Sequence, residues 1–241
     1  MLDLEKVNSH LESKTALERM AFGISEFEQG AVLLSSMQKT SSVLMHMFHE
    51  LGVDNEIVFV DTGFHFHETL QLRDEFMRKY KLNIRTLYPT LTPEQQEEQY
   101  RCKLYQTVEG QPVCCDIRKG QPFLRYMKKE GRQLVFGGRR REEGSARANI
   151  AIVSEDPRFK GYNLNPIVDW TRDMVTDYIK THDVPVHSLH SLCYPSIGCQ
   201  CCTTPVMEGE EARAGRWRHL REDGRTGPAY CGINFTDGSG I

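Results

Sequence analysis

The chain has no run of about 18 apolar residues, so nothing in its 241 residues reads as a helix able to span a bilayer. It has no basic excess either. Thirty Lys and Arg stand against 33 Asp and Glu, a formal charge of −3 that argues against general nucleic-acid binding and leaves room only for local basic patches. No leader with charged, apolar and small-residue parts is apparent at the N-terminus, so a cytoplasmic protein is expected. Glycine-rich phosphate loops are missing too: Gln38-Lys39-Thr40 has a Walker-like ending without the Walker glycines. What the chain does have is ordinary globular composition, 39% hydrophobic, and enough length for one sizeable α/β domain.

Eight cysteines in a chain without an export signal read as ligands and redox thiols rather than a disulfide framework. Cys199-x-x-Cys202 sets two thiols on a tight, glycine-led turn, and Cys114-Cys115 supplies an adjacent pair about eighty residues earlier. Four soft ligands suit zinc or an iron–sulfur cluster. Structural zinc prefers two spaced knuckles, each wrapping half a tetrahedron, and a vicinal pair fits that poorly. A cubane gives each sulfur its own iron at a separate corner, so the 4Fe–4S reading leads. Cys102, Cys193 and Cys201 are left over and are read as free thiols without a role.

Hydrophobic periodicity lays out the rest. Residues 1–28 carry Leu4, Val7, Leu11, Leu17, Met20 and Ile24 at helical spacing and are read as lead-in helices. Residues 30–36, 57–60, 83–88, 133–136 and 163–168 read as buried strands, with helices carrying Val43, Leu44, Met47, Phe48 and Leu51, then Leu72, Phe76 and Tyr80. Residues 90–113 read as a surface excursion that delivers the cysteine pair to the start of a helix over 116–129. Met174, Val175, Tyr178 and Ile179 mark a later helix, capped by Asp169 or Thr171. Alternating strands and helices make a doubly wound, mostly parallel sheet the expected fold. Two units are expected: residues 1–205 as a nucleotide-binding α/β domain, and 206–241 as a mobile, arginine-rich extension containing Cys231.

Three strand ends look able to bind an anion. Ser35-Ser36 opens a hydroxyl-rich turn before a helix, where free N–H groups and the helix dipole point at a ligand. Asp61-Thr62-Gly63 follows the second strand, at the carboxyl end where open α/β sheets bind ligands. Arg139-Arg140-Arg141 and Arg147 follow the fourth, and their planar forks match sulfate or phosphate oxygens.

Cys114-Cys115-x-x-Arg118-Lys119, Gly138-x-Arg140-Arg141, Tyr194-Pro-Ser-Ile-Gly-Cys199-x-x-Cys202-Thr203, Gly215-Arg216-Trp217 and Cys231-Gly232-Ile233 occur in this order. Over residues 30 to 234 the chain resembles the assimilatory adenylyl-sulfate reductases, relatives of phosphoadenylyl-sulfate reductase. The resemblance implies an adenine nucleotide α-hydrolase-like fold and a 4Fe–4S cluster on Cys114, Cys115, Cys199 and Cys202. Ser35 and Ser36 then fall in the phosphate-binding loop, and Asp61, Thr62 and Gly63 border the nucleotide pocket. Arg140, Arg141 and Arg147 fall on the family's positively charged positions, and Lys119, Arg213 and Arg216 on its phosphosulfate-contacting ones.

The implied reaction is attack by Cys231 on adenosine 5′-phosphosulfate, leaving an S-sulfocysteine from which thioredoxin, or glutaredoxin, releases sulfite. A homo-oligomer is compatible with the sequence. The tail departs from the family pattern: Tyr230 stands for a glutamate and Asn234 for a histidine, so the thiol loses a proton carrier. Three alternatives stay open. The substrate could instead carry a 3′-phosphate. An ATP-using enzyme that modifies transfer RNA would need a glycine-rich loop and a basic surface. A non-catalytic iron–sulfur sensor would bind nucleotide without releasing sulfite.

Overall fold

The computed structural model describes residues 2–144 and 147–221. Its centre is a six-stranded sheet of order β3-β2-β1-β4-β6-β5, with β1 at Ala31–Ser35, β2 at Ile57–Val60, β3 at Ile84–Leu87, β4 at Leu134–Phe136, β5 at Val153–Asp156 and β6 at Gly161–Leu164. All neighbouring pairs are parallel except β5 with β6. The chain runs outward from β1 through β2 to β3, then returns to β1's other edge as β4. The crevice outside the carboxyl ends of β1 and β4 is therefore the topological switch point, the place where such sheets bind ligands.

Strands β1, β2 and β4 are apolar on both faces, and both faces are covered. Ala31, Leu33, Ile57, Phe59, Leu134 and Phe136 face one core with helices α1 (Leu4–Glu12), α2 (Ala16–Phe27), α3 (Lys39–Leu51), α4 (His67–Tyr80) and α8 (Arg172–Thr181). Val32, Val58, Val60 and Val135 face a smaller core under α7 (Gln121–Lys129), filled by Phe123, Tyr126 and Met127. Gly23 lets α2 lie directly on β4, since a Cβ there would come within 2.7 Å of the Leu134 side chain. Among the described residues no helix is long and apolar enough to cross a membrane.

The expected doubly wound, mostly parallel sheet is present, and four local expectations change. Residues 90–113 hold two helices, α5 (Pro93–Tyr100) and α6 (Gly110–Cys115). Pro93 occupies the first turn of α5, where a missing N–H costs nothing, behind a Thr92–Gln95 capping box. Cys114 and Cys115 consequently end α6 and run on through a π-helical turn, Asp116–Gly120, into α7, rather than opening a helix. The last strand stops at Leu164, ahead of Pro166, and Ile167 and Val168 are buried in the turn beyond it.

The antiparallel edge strand β5 has no counterpart in the apolar pattern, because two of its four residues are acidic. Asp156 is nonetheless fully buried. Burial works against its charge, but Arg158 at 2.5 Å and Asn163 outweigh that and hold the carboxyl below its usual value. On α8, capped by Thr171, Met174 faces solvent instead of the core. Asp169, the other candidate cap, pairs with Arg19.

Arg19 is 1% exposed and ties the lead-in helices to the sheet. It donates to the carbonyls of Leu11 at 3.0 Å and Pro166 at 2.9 Å, and forks onto both oxygens of Asp169. Arg19→Met keeps the bulk but leaves those acceptors unpaired. Denaturant titration should show a loss of about 2–3 kcal/mol, toward the low end for a buried pair because Asp169 keeps part of its hydration.

Candidate active site

A cleft of about 660 Å³ opens at the switch point. Its floor is the turn from β1 into α3, where the Ser41 hydroxyl accepts from the Ser36 amide at 3.1 Å and lies 2.9 Å from the Ser36 hydroxyl. Met37 makes this turn with φ of 55°, a left-handed conformation usually left to glycine, while its side chain is fully buried in the larger core. Gln38 reaches out of the turn to accept from the Ile197 amide at 3.1 Å, fastening the Cys199 segment to the cleft.

The loop after β4 forms the facing wall. Gly138 allows it to touch α3, since a Cβ there would come within 2.8 Å of the Thr40 side chain. Arg140 is extended, with φ −130° and ψ 144°, and the chain then turns through a short 3-10 helix, Arg141–Glu143. Arg140 turns into the cleft and is 8% exposed. Arg141 turns away, donating to Glu12 on α1 at 2.7 Å and to the Ile150 carbonyl. Two carboxylates share the wall: Arg140 donates to Glu142 at 2.6 Å, and Arg147 pairs with Glu143.

Arg213 and Arg216 close the far side. Arg216 is 5% exposed and lies 4.5 Å over the Trp217 ring, with Arg213 at 5.6 Å from the same ring. Such stacking leaves the edge of a guanidinium available to an anion. The Nε atoms of Arg140 and Arg216 are buried and have no hydrogen-bond partner among the described residues, although Arg140 Nε lies 3.8 Å from a Glu143 oxygen. Residues 213–217 are not a loose extension: Thr203 and Arg216 form an antiparallel bridge, and Trp217 donates its amide to the Cys202 carbonyl. Packed structure therefore continues past the expected boundary at Pro205.

Cys114, Cys115, Cys199 and Cys202, each at most 9% exposed, line a second, much smaller cavity of about 10 Å³. Gln96 donates to the Cys114 sulfur at 3.5 Å, Gln111 to Cys115 at 3.0 Å, and the Thr62 hydroxyl lies 3.4 Å from Cys199. Burial pushes the Cys114 thiol up. The Cys202 thiol is raised by its neighbour Cys201 and by burial, against the pull of Lys119 and Arg216. Protein groups alone thus leave these sulfurs reluctant to ionise. None of the seven described cysteines is in a disulfide. Among the described residues no three Cys, His, Asp or Glu side chains are set to hold a single metal ion.

Seven of the expected anion-binding residues, Ser35, Ser36, Lys119, Arg140, Arg147, Arg213 and Arg216, meet in the large cleft. Arg141 does not, for the reason given. Asp61, Thr62 and Gly63 also stay outside it. Asp61 accepts from the Gly63 amide at 2.9 Å to shape a turn, and Thr62 abuts Cys199, so this strand end supports the sulfur cavity instead. Cys231, Tyr230 and Asn234 lie outside the described residues.

Sequence reading missed Arg158, Arg172 and His190 in the cleft wall. Arg158 follows the overlooked β5, and His190 lies in the short 3-10 segment Ser188–Leu192 ahead of the Cys199 turn. His187 is structural: its Nε2 bonds Thr69 at 2.8 Å, and burial pushes it down to about 4. His190 differs. Its Nδ1 donates to the Tyr194 carbonyl at 2.8 Å, and its Nε2 has no hydrogen-bond partner among the described residues.

A parallel sheet whose switch point carries a hydroxyl turn, inward arginines and an adjoining cysteine cavity defines a doubly wound α/β protein built to hold an anionic ligand. Comparison with known proteins narrows this. Residues 30–205 match the phosphoadenosine phosphosulfate reductase domain. The chain is 34% identical over 235 residues to the adenosine 5′-phosphosulfate reductase of Halalkalibacterium halodurans, covering 97% of each. It is 35% identical to that of Shouchella clausii, covering 96% of this chain and 92% of the other. The phosphoadenylyl-sulfate reductase of Candida auris superposes with a TM-score of 0.73 at 21% identity, over 83% of this chain and 96% of that one. The chain belongs to the phosphoadenosine phosphosulfate reductase family, as its cysteine and arginine motifs led us to expect.

Gly198 admits the Arg216 guanidinium, since a Cβ there would lie 2.3 Å from Nη2. In Gly198→Ala that group is pushed off Trp217. Titration with inorganic sulfate, followed by tryptophan fluorescence, should show affinity reduced about tenfold, the order expected on losing one charge-assisted contact.

Proposed function

We propose that the chain reduces adenosine 5′-phosphosulfate to sulfite and AMP. The observation that carries this reading is the half-buried Lys119, which lines both the arginine cleft and the sulfur cavity. One ammonium thus stands between a site suited to a phosphosulfate and a site suited to a soft metal centre. The relatives at 34–35% identity carry the name of this activity over nearly the whole chain.

The cleft residues bind and orient. Ser35, Ser36 and the start of α3 offer hydroxyls and free amides to the 5′-phosphate, while Lys119, Arg213 and Arg216 surround the sulfate. Their positive charge lets an anionic thiolate approach an anionic electrophile and stabilises the leaving phosphate. The Cys231 thiolate attacks sulfur: an S–S bond forms, the sulfur–oxygen bond to phosphate breaks, and AMP departs with that electron pair. Dithiol thioredoxin then supplies two electrons. One thiolate attacks the Cys231 sulfur and expels sulfite, and the second resolves the mixed disulfide, regenerating Cys231 as thioredoxin is oxidised.

The sulfur cavity suits a 4Fe–4S cluster held by Cys114, Cys115, Cys199 and Cys202. Its donors are all soft and buried, and a metal would take the place of the thiol protons. When bound, such a cluster supplies fixed charge beside Lys119.

Anaerobically purified protein, given adenosine 5′-phosphosulfate and reduced thioredoxin, should release sulfite. It should prefer this substrate over the 3′-phosphorylated one in kcat/KM. Cys231→Ser should abolish release, and Lys119→Ala should lower kcat by about two to three decades. Sulfite release undiminished in Cys231→Ser would remove the nucleophile, and no release by the wild type with either substrate would remove the reaction.

A further inference from the structure

The sulfur cavity is lined by five cysteines, one more than a cubane needs: Cys201 joins Cys114, Cys115, Cys199 and Cys202 on its wall. Cys201 and Cys202 belong to one short 3-10 turn, Gln200–Cys202, and their sulfurs lie 3.7 Å apart. Cys202 is the inner of the two, 6% exposed beside Trp217, and Cys201 is half-buried at the rim. The other two described cysteines outside the ligand set, Cys102 and Cys193, are exposed and line neither cavity.

We propose that Cys201 is a stand-by ligand, able to take the place of Cys202 on an iron–sulfur centre in this cavity. The inference rests on the cluster reading given above. Its basis is reach. Two sulfurs this close can serve the same iron by side-chain rotation, with the backbone turn left in place. That turn is firmly held: the Cys202 amide donates to the Cys199 carbonyl at 2.9 Å, the Thr203 hydroxyl donates to the same carbonyl, and Trp217 donates to the Cys202 carbonyl. The exchange is balanced without any redox step. The Cys202 thiolate leaves iron and takes a proton, and the Cys201 thiol gives one up and binds. Iron and sulfide keep their oxidation states. The inner position makes Cys202 the resting ligand, and the rim position keeps Cys201 accessible.

The test compares wild type, Cys201→Ser, Cys202→Ser, Cys202→Ala and the double variant Cys201→Ser with Cys202→Ser, all reconstituted anaerobically with iron and sulfide. The readouts are iron and sulfide per chain, visible absorption, and far-UV circular dichroism for folding. Wild type and Cys201→Ser should load equally. The Cys202 variants should keep at least half of that iron with an altered spectrum, and the double variant should fall about tenfold below wild type. Folded Cys202 variants as empty as the double variant overturn the stand-by role and leave the cluster reading intact. Wild type that takes up neither iron nor sulfide overturns both.

Anaerobic alkylation of loaded wild type, where folding is not in question, adds a second measurement. Cys201 should be labelled with Cys202 protected. In the Cys202 variants Cys201 should become protected. Labelling of Cys202 with protection of Cys201 in the wild type overturns the assignment.

Discussion

The arrangement hangs on one buried guanidinium. Arg118, 2% exposed, donates to the Thr62 carbonyl at the end of β2, to Gln96 on α5 at 3.1 Å, and to the Leu91 carbonyl, while lying 5.0 Å from the centre of the Phe64 ring. Those contacts join the π-helical turn that follows Cys114 and Cys115 to the strand end that abuts Cys199. Burial lowers the pKa of this arginine, and the negative charge of Cys114, Cys199, Glu94 and Asp61 offsets that desolvation only in part. This tie adds to the contact of Tyr105 with Phe64 and the hydrogen bond from the Gln200 amide to the Phe64 carbonyl in fixing the two cysteine pairs relative to each other.

From that tie the two cavities follow as neighbours. The residue after Arg118 projects toward both, so the helix that delivers a cysteine pair also delivers the ammonium shared with the nucleotide side. Trp217 plays the matching part opposite: it packs against Cys199 and Cys202 on one side and carries the two arginines on the other.

The sheet, both cysteine pairs and most of the cleft were legible in the sequence because each leaves a local mark. Parallel strands buried on both faces read as short apolar runs, and motif residues stand at fixed spacings. What was not legible depends on neighbours in space. β5 is acidic and takes its order from β6, and Asp156 is tolerable inside only because Arg158 and Asn163 meet it there. The exclusion of Arg141 from the cleft follows from its pairing with Glu12 on α1, which a run of three arginines hides. Asp61-Thr62-Gly63 sits at the expected strand end, yet the turn it makes faces sulfur. The α5 start was open to reading from Thr92-Pro93-x-Gln95, where proline signals a beginning and not a break.

The turn beneath the cleft is bent by a methionine whose side chain is locked into the interior. Straightening that turn would draw Met37 out of the core, forfeiting roughly 1.5–3 kcal/mol of burial. In a glycine loop the ligand itself must select the curved backbone from many others and bear the entropy of doing so. Here folding has already borne it, so an arriving anion meets a preorganised cradle, and less of its binding energy is spent on ordering the protein.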